Sequence, residues 1–300
     1  MMIKLNKRII SLLMIFLLLP FVIISAGSSK STVAVLNENG DILENYYSSN
    51  NITQSLKRAF EYTKNNASVE NLLTIRIEKG SYDVKETVHL SSYTTLDLGG
   101  ARLINSNRKR GNILKSPEDK PYPKYSSLTE CVIKNGTLDG NFNTNQSCML
   151  RLCHCKNVII ENVTFLNNYY SHHAELAASE NVTFRDCSFS GQVSDLNISS
   201  SEAIQIDILD KVHFQGFTCY DNTMNKNITV ENCVFKNVYR GVGTHNYFKD
   251  LYQSGITITG CTFENITDCA ISAVNFENVL FKNNNYINCK YSVFLRDNGK

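Results

Sequence analysis

Short runs of alternating apolar and polar residues recur along the second half of the chain, each broken by asparagine, aspartate or glycine. Five of them align without gaps: "NVIIENVTFLNN" from Asn157, "NVTFRDCSFSG" from Asn181, "NITVENCVFKNV" from Asn227, "GITITGCTFENI" from Gly255 and "NVLFKNNNYINC" from Asn278. A weaker copy, "CVIKNGTLDG", begins at Cys131. A period of two predicts strands with one buried face, and the interrupting residue predicts a turn. Opening positions 157, 181, 227, 255 and 278 lie 24, 46, 28 and 23 residues apart. The short spacings suit one winding of a solenoid, and the long ones a winding with a loop inserted.

No such unit buries its apolar side alone, but stacked units make one continuous core. The period, the strand alternation and the lack of helical pattern therefore predict an all-β, single-stranded right-handed parallel β-helix. Upstream, "TIRIEKGSYDVKETVHLSSYTTLDLGGARLI" (Thr74 to Ile104) continues the strand pattern. Before it, "SLKRAFEYTKNN" (Ser55 to Asn66) reads as a short amphipathic helix. Its Leu56, Ala59, Phe60 and Tyr62 or Thr63 suit a cap over the open end of the solenoid. These segments resemble the pectin-lyase-like superfamily of polysaccharide lyases, polygalacturonases and their relatives, over residues 33 to 300. The resemblance implies the fold and an extracellular polysaccharide as substrate class. It does not imply one reaction, because the N-x-D strand, paired aspartates and R-x-K of polygalacturonases are missing.

The repeat changes how the ten cysteines read. Cys187, Cys233 and Cys261 each stand six residues after a repeat opening, which predicts a stack. Cys131 takes the place of Val158 or Val182, and Cys289 that of Val238 or Ile266. Cysteine here is expected to act as a small core hydrophobe, as free thiols. Cys148, Cys153, Cys155 and Cys219 lie off these ladders and are the better disulfide candidates. Cys153-His154-Cys155 is too little for a zinc site without a second pair. His89, His154 and His213 are read as structural. The N-x-[ST] matches at Asn162, Asn181, Asn227 and Asn265 follow from the repeat and are read as turn residues, not glycan acceptors.

The chemistry is expected on the third strand of each coil. In "EAIQIDILD" (Glu202 to Asp210), Ile204 and Ile206 alternate as inward residues while Gln205 and Asp207 face out, with Glu202 at the strand entry. Counting back from the repeat openings sets "MLRLC" (149–153), "HAELA" (173–177), "AIQID" (203–207) and "GVGTH" (241–245) side by side. The outward rows then read Met149, His173, Ala203, Gly241; Arg151, Glu175, Gln205, Gly243; and Cys153, Ala177, Asp207, His245. Asp207 and His245 become neighbours at ~4.5–5.5 Å, Glu175 lies diagonally, and Glu202 falls between His172 and Arg240. Ala and Gly would floor a shallow groove. The insertions at 190–201, 215–227 and 246–254, with Tyr247 among their aromatic residues, would wall it.

Paired carboxylates push their pKa values apart and can supply both a proton donor and a base. The main expectation is a glycoside hydrolase. It would use Asp207 with Glu175 or Glu202 as its carboxyl pair, and His245 would tune Asp207. Arg240, His172, His173, Gln205, Arg151 and Tyr247 would bind the polysaccharide. One alternative is a polysaccharide lyase or C5-epimerase on a uronic-acid polymer. His245 or His173 would then be the base, and Arg240 or Arg151 would neutralise the uronate. The other alternative is a non-catalytic glycan-binding or cell-wall surface β-helix. No cofactor is expected; a divalent ion such as Ca²⁺, held by His173, Glu175, Asp207 and His245, is the minor alternative.

Composition narrows the partners. A net charge of +2 with 19% charged residues gives no reason to expect nucleic acid or an anionic membrane. Lys4, Lys7 and Arg8, the apolar run Ile9 to Ile24 and the small residues Ser25 to Ser28 read as an export signal over residues 1–26, cleaved after Ala26. An uncleaved membrane anchor is the alternative. Either way, residues 27–300 are expected to work secreted or at the cell surface.

Overall fold

The computed structural model describes residues 32–145, 147–193, 201–212, 214 and 217–296. The expected export signal, His213 and residues 194–200 of one expected insertion lie outside the described residues. No helix among the described residues is long and apolar enough to cross a membrane.

The chain winds as a parallel β-helix with three strand faces. On the first, Leu73–Ile77 pairs with Thr94–Asp97, then with residues 131–134, 158–161, Glu180–Arg185, Lys226–Glu231, Gln253–Thr259 and Leu280–Lys282, always in parallel. The expected register holds, with Val158 opposite Val182 and then Ile228 and Ile256. The second face begins at Ser81–Val84 and the third at Val88–His89. At the N-terminal end the pairing changes sign. Val33–Leu36 lies antiparallel to both Ile42–Tyr46 and Leu73–Ile77. The helix Thr53–Asn66 lays Leu56, Ala59, Phe60 and Thr63 onto the core there, as expected, but begins two residues earlier than its apolar pattern. Asn51 explains that start: its Oδ1 accepts the Thr53 N–H at 3.2 Å and the Thr53 hydroxyl at 2.7 Å.

Parallel strands repeat every ~4.8 Å, so equivalent side chains meet face to face. Phe165, Phe189, Phe235 and Phe263 stack with centroids 4.7, 4.8 and 4.8 Å apart, and Tyr286 follows at 5.5 Å. Cys131 pairs with Val158, and Cys289 with Ile266, in the core columns the sequence predicts. All ten cysteines are free thiols. Those off the ladders, which were the disulfide candidates, are unbridged as well.

The turns depend on asparagine. Asn157, Asn181, Asn227 and Asn278 all have φ between 52° and 54°. A side-chain amide both tolerates this left-handed backbone and hydrogen-bonds locally. Asn181 Nδ2 donates to Asn157 Oδ1 at 2.9 Å, and Asn227 Nδ2 donates to Asn181 Oδ1 at 3.1 Å. Asn162 and Asn265 make the same bonds to Asn135 and Asn237. The amide nitrogens a glycan would need are thus ladder donors.

This geometry separates two effects at one position. Asn181→Gly keeps the backbone and loses the ladder bonds, an expected cost of about 1 kcal/mol. Asn181→Ala loses the same bonds and leaves a Cβ in the left-handed region without the amide that offsets it, so it is expected to cost about 1–2 kcal/mol more than Asn181→Gly. Urea denaturation midpoints measure both, and equal losses would show that the backbone conformation is not what the position demands.

Candidate functional site

The third face is built as the alternation predicts in its central rows. Leu150–Cys153, Ala174–Ala177, Glu202–Asp207 and Arg240–Gly243 pair in parallel, placing Arg151, Glu175, Gln205 and Gly243 in one row. Leu150, Leu152, Ala174, Leu176, Ile204, Ile206 and Val242 point into the core. The row at the strand entries is different. Met149 and Ala203 lie in the core, a Cβ on Gly241 would meet the Phe263 ring, and His173 packs edge-on to Phe189 with centroids 6.0 Å apart. Each strand enters from a corner, where the changing chain direction inverts the in–out order. His173 is therefore not a groove residue. It is fully buried, with Nε2 donating to the Ser190 carbonyl at 3.0 Å, and burial pushes it down to about 4.

The same corner places Glu202 at the centre of the site. Its carboxylate is 0% exposed and has three partners from neighbouring coils. His245 Nδ1 lies 3.0 Å from Oε2, His172 Nδ1 3.5 Å from Oε2, and Arg240 Nη1 3.1 Å from Oε1. The His172 and His245 rings stack on each other at 5.9 Å. Arg240 reaches onward through Nε to Asp268 at 2.7 Å. Burial works to raise the Glu202 pKa. The His245 hydrogen bond and the charges of His245, His172 and Arg240 outweigh it and hold the carboxyl down to about 2. Burial likewise works to lower His245, and Glu202 outweighs it, so that imidazole is raised. For His172 burial wins and the shift is downward.

His245 hydrogen-bonds Glu202 and not Asp207, which corrects the expected direct pair, although the His245 charge still acts to lower Asp207 as expected. The strand ends at Gly243, whose φ of 143° and whose missing Cβ, which would fall 2.0 Å from the Ser272 carbonyl oxygen, both require glycine. Past this kink the alternation no longer applies. Thr244, expected inward, donates its hydroxyl to Asp207 Oδ1 at 3.2 Å. Asn246 Nδ2 donates to Asp207 Oδ2, and His245 swings to Glu202. Gln205 Nε2 and the Ile208 N–H add bonds of 2.9 and 2.8 Å to the Asp207 carboxyl. Asp207 is 1% exposed, and burial raises it to about 6 against these donors.

Glu175 is taken by Arg151, whose Nε lies 2.6 Å away, and it accepts the Cys148 thiol at 3.3 Å. Above this pair the insertion after Asp207 folds down. The Arg151 guanidinium lies 4.8 Å from the Phe214 ring centre and 5.6 Å from that of Phe217. Both rings pack with Leu209 onto Cys153, Ala177 and Ala178. Of the expected groove floor, Ala177 lies in this second apolar cluster and Ala203 in the main core, while Glu175 and Gln205 are buried. Tyr247 does stand at the surface, 38% exposed, with Arg296 4.8 Å over its ring.

The four residues expected to share a divalent ion do not converge: His173 is in the core, Glu175 on Arg151, His245 on Glu202. Asp268, Thr244, Asn246, Phe214 and Phe217 complete the site and were not singled out in the sequence. The spacing of Phe214 and Phe217 in "HFQGF" was a visible apolar signal; nothing local marked Asp268.

Among known proteins, a family model described as the right handed beta helix region matches residues 124–300. The plasmin and fibronectin-binding protein A of Streptococcus pneumoniae is 27% identical over 244 residues, covering 69% of this chain and 33% of that protein. The chain thus spans about a third of the length of that curated relative. The solved structure of the S. pneumoniae surface protein and adhesin PfbA superposes with a TM-score of 0.69 at 24% identity, over 79% of this chain and 63% of that one. A tailspike protein of E. coli bacteriophage HK620, solved with a pentasaccharide, gives 0.51 at 14% identity, over 84% and 45%.

The Glu202 cluster has a defined acid response. Held far below its ordinary 4.5, Glu202 contributes stability that is complete above about pH 4.5 and is lost as pH falls toward about 2. His245 runs the other way. Raised above 6.5, its share is complete below that value and is lost as pH rises through the folded one. Glu202→Gln leaves His245 without its hydrogen-bonded anion and Arg240 with Asp268 alone, and is expected to cost about 3 kcal/mol near neutral pH. Urea denaturation should show the gap to wild type narrowing at about pH 3. A pH-independent gap below about 1 kcal/mol would mean that Glu202 does not hold the cluster.

Proposed function

The chain belongs to the right-handed beta helix family, and from that premise we propose that it is a surface-displayed module that binds extended glycans without cleaving them. The closure of its carboxylates carries this reading. Glu202 is enclosed by His245, His172 and Arg240; Glu175 is clamped by Arg151 beneath Phe214; Asp207 is surrounded by donors. A glycosidase needs two carboxyls facing a sugar from opposite sides. Here the carboxylates spend their lone pairs inside the protein and hold the coils and insertions together.

The relative at 27% identity is named for binding, which supports a binding role for the residues shared with it. The adhesin description of the superposed S. pneumoniae structure and the export reading of residues 1–26 support display at the surface. The ligand contact is then expected on exposed aromatic residues near the C-terminal coils. Tyr247 offers one ring and Tyr291, 53% exposed, another. Such rings present an apolar face with a polar tip, suited to the underside of a sugar.

One observation favours hydrolysis as a second reading: Glu202 is held down to about 2 while Asp207 is raised to about 6, a split between acid and base roles.

Purified protein passed over a panel of immobilised polysaccharides separates the readings. Retention on at least one polymer is expected, with neither new reducing ends nor an ultraviolet-absorbing unsaturated product. Tyr247→Ala should weaken retention by roughly fivefold to tenfold, the value of one aromatic platform. Reducing ends that appear with wild type and vanish with Asp207→Asn would replace this reading with the hydrolase, and the unsaturated product would replace it with a lyase.

A further inference from the structure

A separate cluster lies where the insertion that covers Arg151 meets the rest of the molecule. His154 occupies the corner between Leu150–Cys153 and Cys155–Tyr169, with φ 56°. One coil on, the matching corner is Ala178, with φ 47°. The backbone therefore does not call for histidine, and the side chain needs another reason. That side chain is 2% exposed. Nδ1 lies 2.5 Å from the Lys124 carbonyl oxygen and Nε2 3.1 Å from the Cys219 carbonyl oxygen.

A neutral imidazole has one N–H to donate. Given to the nearer oxygen, that of Lys124, it leaves the Nε2 lone pair directed at a second carbonyl. The Cys219 sulfur and the Asp221 carboxylate close the same space: ligand atoms of His154, Cys219 and Asp221 all lie within 4.8 Å of one another. The Cys219 carbonyl, the Cys219 sulfur and the Asp221 carboxylate thus gather three electron-rich groups at Nε2, where positive charge, from a second imidazole proton or a bound cation, is stabilised. The surroundings are also ordered. Asp221 Oδ2 accepts the Lys124 N–H at 2.7 Å and Oδ1 accepts the Thr223 N–H at 3.1 Å. The Lys124 backbone thus fixes the imidazole with its carbonyl and the carboxylate with its N–H, the outer-sphere support typical of metal ligands.

We propose that His154 Nε2, the Cys219 thiolate and the Asp221 carboxylate bind a zinc-class divalent ion. Thiolate, imidazole and carboxylate together suit Zn²⁺, whereas Ca²⁺ and Mg²⁺ take oxygen ligands. Binding releases the Cys219 thiol proton to solvent, and a water completes the tetrahedron. The ion fastens the insertion holding Phe214 and Phe217 to a coil corner, and so sets how firmly Arg151 and Glu175 are covered. This assignment is independent of the glycan reading.

The test uses the full chain, freed of metal with a chelator and titrated with Co²⁺, following the thiolate-to-cobalt charge-transfer absorption. One Co²⁺ per chain is expected, displaced by Zn²⁺ and not by Ca²⁺. The band should be absent in Cys219→Ser and intact in Cys289→Ser. Asp221→Asn, which keeps one side-chain oxygen to accept a backbone N–H, should weaken uptake by more than about tenfold with an unchanged urea midpoint. No saturable band, a band that survives Cys219→Ser, or uptake indifferent to Asp221→Asn would overturn the assignment.

Discussion

The structure depends on one constraint: each coil must lie in register on the last, at the ~4.8 Å separation of hydrogen-bonded parallel strands. Side chains therefore form columns, and each column must be self-compatible. Apolar columns satisfy this by repeating, as in the Phe165 to Phe263 stack. Turn columns satisfy it with asparagine, whose amide is both donor and acceptor. Charged columns satisfy it by changing sign. Glu161, Arg185 and Glu231 succeed one another on three coils, as do Lys156, Glu180 and Lys226. Opposite charges directly across a ladder stabilise, and like charges do the reverse.

The Arg151–Glu175 pair obeys this column rule, and Glu202 does so against Arg240. What sets the third face apart is what covers these columns. The alternating Glu161–Arg185 and Lys156–Glu180 pairs of the first face stay partly exposed, where each contributes little. Here Glu202 and Glu175 are out of water, and a buried carboxylate persists only when surrounded by cations and donors. The insertions and the buried charges need each other. Phe214 and Phe217 gain a cation to lie on, and Arg151 gains a cover that commits it to Glu175.

Much of this was legible because a period of two is a strong signal when it recurs at a fixed interval. The coils, the cap helix, the cysteine columns and the row of Arg151, Glu175, Gln205 and Gly243 all follow from counting. The candidate site was legible only as a neighbourhood. Alternation assumes a continuous strand, and it fails at both ends of these short ones. At the entry the corner turns Met149, His173 and Ala203 inward. At the exit the kink at Gly243 sends His245 to Glu202 instead of Asp207. The covering of Arg151 was beyond any register argument, because a loop's landing place is set by tertiary packing.

The windings differ greatly in length, yet each must deliver its strands to the same columns. Between the openings at Asn181 and Asn227 the chain runs 46 residues, against 24 for the winding before it. Closure entropy grows only with the logarithm of contour length, so this near-doubling costs about 0.6 kcal/mol. A parallel solenoid can therefore lengthen one excursion without altering its pitch or disturbing the coils on either side. Novelty accumulates sideways, on the flank where excursions emerge, while the axis stays as rigid as its shortest turns make it.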